Sequence, residues 1–106
     1  MPKYLFEANY TAEGAKGVAK DGGTARRAAV EKAFAGLGGR VESFYFAFGG
    51  TDAYVIADLP DNVTAAAMAL AVAQSGKATT RTVVLLTPED VDAATKKAVA
   101  YRGPGG

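Results

Sequence analysis

The 106-residue chain contains no cysteine and no histidine. Without cysteine there is no disulfide framework, no thiol nucleophile and no thiolate metal site. Without histidine there is no Ser-His-Asp triad, and haem loses its commonest protein ligand. A carboxylate-only site for Mg²⁺ or Ca²⁺ has no ligand-spacing signature in the sequence. Neither the P-loop nor the dinucleotide glycine pattern occurs. Surplus charge is also missing: 12 Lys/Arg stand against 11 Asp/Glu, a formal net charge of +1. That balance argues against duplex DNA or an anionic membrane as partner. Residues 1–40 hold seven basic and four acidic side chains, and residues 41–106 hold five and seven, which reads as solvated faces. No long hydrophobic run occurs. The longest low-charge stretch, Val63 to Ala73, falls short of the roughly 20 residues a membrane span needs. Met1-Pro2-Lys3-Tyr4 enters a strand pattern at once, with no basic segment leading into an apolar one, so no signal peptide is expected. The expected setting is cytoplasmic, with no metal or other cofactor and no nucleic-acid or membrane partner.

The chain has ample material for a core. Hydrophobic residues make up 49% and charged residues 22%, the balance of an ordinary globular protein rather than a disordered one. This length suits one domain, expected over residues 1–100, followed by a flexible tail at 101–106 that contains Gly103-Pro104-Gly105-Gly106.

Lys3 to Tyr10 alternates, with Tyr4, Phe6, Ala8 and Tyr10 on one side, which predicts a strand. Residues 11–23 read as a Gly- and Lys-rich connection with at most one helical turn. Thr24 is placed to cap a helix running to about Leu37, with Val30, Ala33, Phe34 and Leu37 as its buried stripe. Gly38-Gly39 supplies the left-handed stop. Val41 to Phe48 is a second strand, with Phe44, Phe46 and Phe48 on one side and Val41, Tyr45 and Ala47 on the other. The turn Gly49-Gly50-Thr51-Asp52 joins it to a third strand, Ala53 to Leu59, as a hairpin. Asp61 or Asn62 caps a second, Ala-rich helix to about Ser75, and Gly76 closes it. Ala78 to Leu86 forms a fourth strand, after which Thr87 and Pro88 start a short helix.

This order, β-α-β-β-α-β plus a terminal helix, is the ferredoxin-like α+β arrangement: a four-stranded antiparallel sheet with its helices on one face. The strands are apolar on both sides, so a bare second face predicts a homo-oligomer that covers it.

Four groups of residues are candidate sites. Lys20, Gly22, Gly23 and Arg26 surround a helix start, where free N–H groups and the dipole favour an anion; the same glycines also suit a plain solvated loop. Asp52, with Tyr54, Tyr45 and Tyr10 near it, can act as a general base on a small aromatic or enolisable ligand, or can simply hold its own turn. Phe44 and Phe46 can line a ligand pocket or an interface, and the basic pattern of an RNA-binding sheet is missing around them. Asp61, Glu89, Asp90 and Asp92 fall at helix starts, where acidic side chains belong.

From Thr24-Ala25-Arg26-Arg27 through Gly39-Arg40-Val41-Glu42-Ser43-Phe44-Tyr45-Phe46-Ala47-Phe48-Gly49, then Asp52 and the strand to Asp58, and on to Leu86-Thr87-Pro88-Glu89, the sequence resembles the GYD-domain family. These are small bacterial and archaeal proteins named for a Gly-Tyr-Asp motif. The likeness spans roughly residues 3–98. At the signature this chain reads Gly50-Thr51-Asp52, with threonine where the family has tyrosine. The resemblance implies a dimeric α/β-barrel type of assembly. Similar folds serve cofactor-independent monooxygenases, muconolactone isomerases and haem-handling proteins, so the fold alone does not choose an activity.

Three functional expectations follow. The first is an oligomeric small-molecule binder, with a pocket between sheet and helices or at the subunit interface lined by Tyr10, Phe44, Tyr45, Phe46 and Tyr54. The second is a cofactor-independent isomerase or monooxygenase with Asp52 as base. The third is a purely structural oligomer. Threonine at position 51 and the lack of histidine favour binding over catalysis.

Overall fold

A computed structural model describes residues 1–106. The elements run β1 (Lys3–Tyr10), α1 (Ala12–Asp21), α2 (Gly23–Gly36), β2 (Arg40–Phe46), β3 (Ala53–Asp58), α3 (Asn62–Gln74), β4 (Ala78–Leu85) and α4 (Pro88–Thr95). All four strands form one antiparallel sheet in the order β2-β3-β1-β4, the ferredoxin-like topology. Val30 and Phe34 of α2 and Ala65 of α3 pack on Tyr4, Phe6, Val55, Ala57 and Leu59, so both helices cover the same side of the sheet. The core is therefore one layer between sheet and helices. Tyr4 is its largest fully buried side chain with a polar tip, and its hydroxyl donates to Asn62 Oδ1 at 2.6 Å. That bond removes the cost of burying a phenol and ties β1 to the start of α3.

Three local readings need correction. Residues 11–21 are not a connection but a ten-residue helix, α1, with Thr11 as its N-cap accepting from the Gly14 N–H. The two glycines that suggest a loop, Gly14 and Gly17, sit three residues apart inside it, on the side facing the cavity described below. A methyl group on Gly14 would overlap the Lys77 carbonyl, so glycine there permits close approach and does not mark a turn. Thr24 lies inside α2 and caps nothing. Gly22, at φ +85°, ends α1 and starts α2 without any side-chain cap.

The second strand also differs. It ends at Phe46, and Phe48 is fully exposed on the turn beyond it. A bulge between Val41 and Ser43 places Val41 opposite Ala57 and Phe44 opposite Val55. Val41 thereby shares the helix side with Phe44, because one extra residue inverts the alternation. The β2–β3 hairpin itself, the Asp61 cap on α3 and the Thr87 cap with Pro88 at the start of α4 match the sequence pattern. No helix is long and apolar enough to cross a membrane.

Candidate functional site

A concavity lies on the helix side, where α1, α2 and α3 meet the Tyr10 end of β1 and the start of β4. It is a partly open cleft of about 370 Å³. Val18, Ala29, Val30, Met68, Ala71 and Val72 supply most of its apolar wall. A smaller recess of about 40 Å³ lies between the helices and the sheet, and Tyr10, Arg26, Val30, Met68, Val72 and Ala78 border both spaces.

The walls are built from local sequence. Tyr10 ends β1 on the face that holds Tyr4 and Phe6, so its ring points under the helices. The α1 wall is pinned to the α3–β4 loop at its first residue: the Thr11 N–H donates to the Lys77 carbonyl at 3.0 Å, and its hydroxyl donates to the Gly76 carbonyl at 3.0 Å. Gly14 then lets α1 lie against that loop. Arg26 comes off α2 four residues before Val30, which turns it inward beneath the helix; its guanidinium carbon stands 6.0 Å from the centre of the Tyr10 ring. Its Nε is buried and has no hydrogen-bond partner. Asp21 and Lys77, both exposed, are the other charged residues of the lining.

The sequence-predicted residues do not form one group. Tyr10, Phe44 and Phe46 stand on the helix side, with Phe44 and Phe46 edge to face at 5.1 Å. Tyr45 and Tyr54 pair across the hairpin on the opposite, open side, where Tyr54 alternates with buried Ala53 and Val55. A pocket combining Tyr10, Phe44 and Phe46 with Tyr45 and Tyr54 is thus divided by the sheet itself.

The anion group separates as well. Lys20 is exposed in the last turn of α1. Gly22 joins two helices, and a Cβ on Gly23 would meet the Phe46 ring edge at 3.0 Å, so both glycines answer to backbone shape and packing. Of the four, only Arg26 reaches the cleft.

Asp52 is absent from the cleft lining. Its carboxylate accepts from the Tyr10 N–H at 2.9 Å, its own N–H donates to the Ala8 carbonyl, and its carbonyl accepts from the Ala47 N–H. One residue thus binds the end of β1 to both arms of the hairpin. The carboxylate ties β1 to the hairpin and does not bond its own turn, where only the Asp52 backbone takes part.

On the open face, Leu5 lies between Ile56 and Val83, and Glu7 lies between Tyr54 and Arg81. At one end Lys3 Nζ bonds Glu42 at 2.8 Å and Asp58 at 3.0 Å, while Arg40 bonds the other Asp58 oxygen at 3.3 Å. The Glu42 and Asp58 hydrogen bonds raise the Lys3 pKa above its ordinary value, and the Lys3 bond holds the Asp58 carboxyl below its own. No three carboxylates lie close enough to hold a metal ion together.

Sequence reasoning missed the Arg26–Tyr10 pairing and the α1 wall. The available signal was the run Arg26-Arg27, in which Val30 and Phe34 already marked the inward stripe. Arg26 is four residues from Val30, whereas Arg27 pairs outward with Glu31 at 4.0 Å.

No curated protein and no solved structure shows significant similarity to the chain. The family model of the GYD domain matches residues 4–95, from the buried Tyr4 of β1 to the last residue of α4, and the chain therefore belongs to the GYD domain family.

Proposed function

We propose that this chain is a small-molecule-binding protein acting as a homo-oligomer, with its ligand in the cleft between α1, α2, α3 and the Tyr10 end of the sheet. The observation that carries this reading is the cleft itself, about 370 Å³ of mainly apolar wall with one inward-facing guanidinium. Its size falls in the range of small-ligand sites, and a few polar groups in an apolar wall are what such sites use to orient a ligand.

The open sheet face supports the oligomeric part. Leu5, Tyr45, Tyr54, Ile56, Val83 and Leu85 lie there with no helix over them. Glu7 and Arg81 are cross-strand neighbours in the middle of this face and make no ion pair with each other. A two-fold-related second copy brings an opposite charge to each of them while covering the apolar positions.

The test is a screen of small aromatic and alicyclic compounds against the ¹⁵N-labelled chain by NMR. Binders are expected to shift amides of Val18, Ala29, Met68 and Val72 together. Binders that shift only Tyr45, Tyr54 and Ile56 would overturn the assignment to the cleft and move the ligand site to the open face.

A further inference from the structure

Resting on the reading of the cleft as a ligand site, we infer that its ligand is a small monocarboxylate with a compact apolar body, anchored by Arg26. The first reason is the state of the guanidinium. Arg26 makes no ion pair, and of the lysines and arginines without one the others are exposed and it alone is half-buried. Its buried Nε–H has no acceptor of any kind. Its Nη groups bond nothing in the chain either and stay accessible, so the charged end of Arg26 stands free at the cleft.

The second reason is that no group of the chain bonds this guanidinium. The residues three and four positions away on α2 are Gly22, Gly23, Ala29 and Val30, none of which accepts through a side chain. Across the cleft, α3 presents Met68, Ala71 and Val72. The sheet offers Tyr10, Ala78 and, in the smaller recess, Thr80, and neither hydroxyl bonds Arg26. On α1 the lining is Gly14, Gly17, Val18 and Asp21, and Asp21, the only acid of the lining, lies beyond ion-pair distance of Arg26. No acceptor of the chain thus occupies the guanidinium, which leaves its Nη groups open to a ligand.

The third reason concerns which anion fits. A planar guanidinium matches a carboxylate through its two Nη groups, the accessible edge of Arg26, in two parallel bonds that fix the ligand's orientation. A phosphate dianion asks for more donors than this wall holds, since the only other cation is the exposed Lys77. The first turn of α2 does not supply them, because Gly23 faces the Phe46 ring. The remaining wall is methyl, methylene and thioether surface with the Tyr10 ring beside it, which calls for an apolar body on the carboxylate.

The experiment uses the full chain with arginine Nε–Hε resonances resolved, titrated separately with benzoate, cyclohexanecarboxylate, neutral benzamide and inorganic phosphate. Both carboxylates are expected to shift the Arg26 Nε–Hε signal with the Val18, Ala29 and Val72 amides, and to bind at least about tenfold more tightly than benzamide. Arg26→Gln is expected to abolish that difference. If benzamide and benzoate bind the wild-type cleft equally, the carboxylate inference falls and the cleft reading survives. If phosphate binds Arg26 more tightly than benzoate, the apolar body contributes nothing and the inference falls. If no probe shifts any cleft resonance at about 10 mM, both readings fall together. The wild-type comparison alone decides the matter should the variant not fold.

Discussion

At the scale of single residues, two glycines of one helix carry opposite expectations. Gly14 lies against the Lys77 carbonyl and the Tyr10 ring, where a methyl group has no room. Gly14→Ala forces α1 off the α3–β4 loop and is expected to lower stability by about 1–3 kcal/mol, read as a lower urea midpoint. Gly17 sits three residues on with nothing within 4 Å of a Cβ. Gly17→Ala only removes backbone freedom from the unfolded chain and is expected to raise stability by about 0.5–1 kcal/mol. Equal effects of the two would mean that α1 is not seated against the loop. Asp58 carries the pH dependence. Its folded pKa lies below the ordinary 3.8 because Lys3 bonds it, so its contribution is complete above that pH and disappears as the pH falls through the lower folded value. The Lys3 pKa is raised above 10.5, so its share is complete below that pH and disappears as the pH rises through the raised value. Asp58→Asn is therefore expected to cost stability at neutral pH and to converge with the wild type in acid. A parallel pair of stability–pH curves across pH 2–5 would contradict this assignment.

At the scale of elements, what could be read in the sequence depended on whether an element's pattern was local. The strands announced themselves because Tyr4, Phe6 and Ala8 alternate with Leu5 and Glu7, and Ala53, Val55 and Ala57 with Tyr54 and Ile56. The caps of α3 and α4 were legible because Asp61 and Thr87 bond donors three residues ahead, a contact within one turn. The first helix was not legible, because Gly14 answers to a loop more than sixty positions away. Neither was the bulge at Val41–Ser43, since no residue type marks an inserted position that only the partner strand reveals. The site suffered from the same limit. Tyr10 and Tyr54 lie on opposite sides of the sheet, and that depends on which face the helices choose. The terminal helix has its own local signal but no packing partner: every residue from Leu86 to Gly106 is exposed. An isolated eight-residue helix is marginal in water even with a good capping box. Its amides are therefore expected to exchange with deuterium far faster than those of β1 and β3 in dilute protein. Protection of Val91–Thr95 that rises with protein concentration would instead show that a second copy covers the helix.

At the scale of the whole molecule, the isolated chain is less compact than its core suggests. Its radius of gyration is 16.8 Å, against about 13 Å for a compact chain of roughly this length, and its longest dimension is 55 Å. The excess comes from the exposed stretch after β4, while the sheet keeps one face uncovered. Hydrophobic burial favours any arrangement that removes Leu5, Ile56, Val83 and the two tyrosines from water, and self-association does so without a second gene product. Tyr54→Lys tests this while protecting the fold. Its cross-strand neighbour is Glu7, so the new cation gains a partner within its own chain. In an assembled interface the same lysine loses the aromatic contact and must be desolvated. Wild-type protein is expected to sediment as an oligomer at micromolar concentration, and the variant to associate at least about tenfold more weakly with an unchanged circular dichroism spectrum. A wild-type chain that remains monomeric at about 100 μM would assign the open face no partner of its own kind. Because the cleft lies on the other side of the sheet, ligand binding is expected to survive in the monomeric variant. The sheet would then separate the two activities of the chain, association on one face and binding on the other.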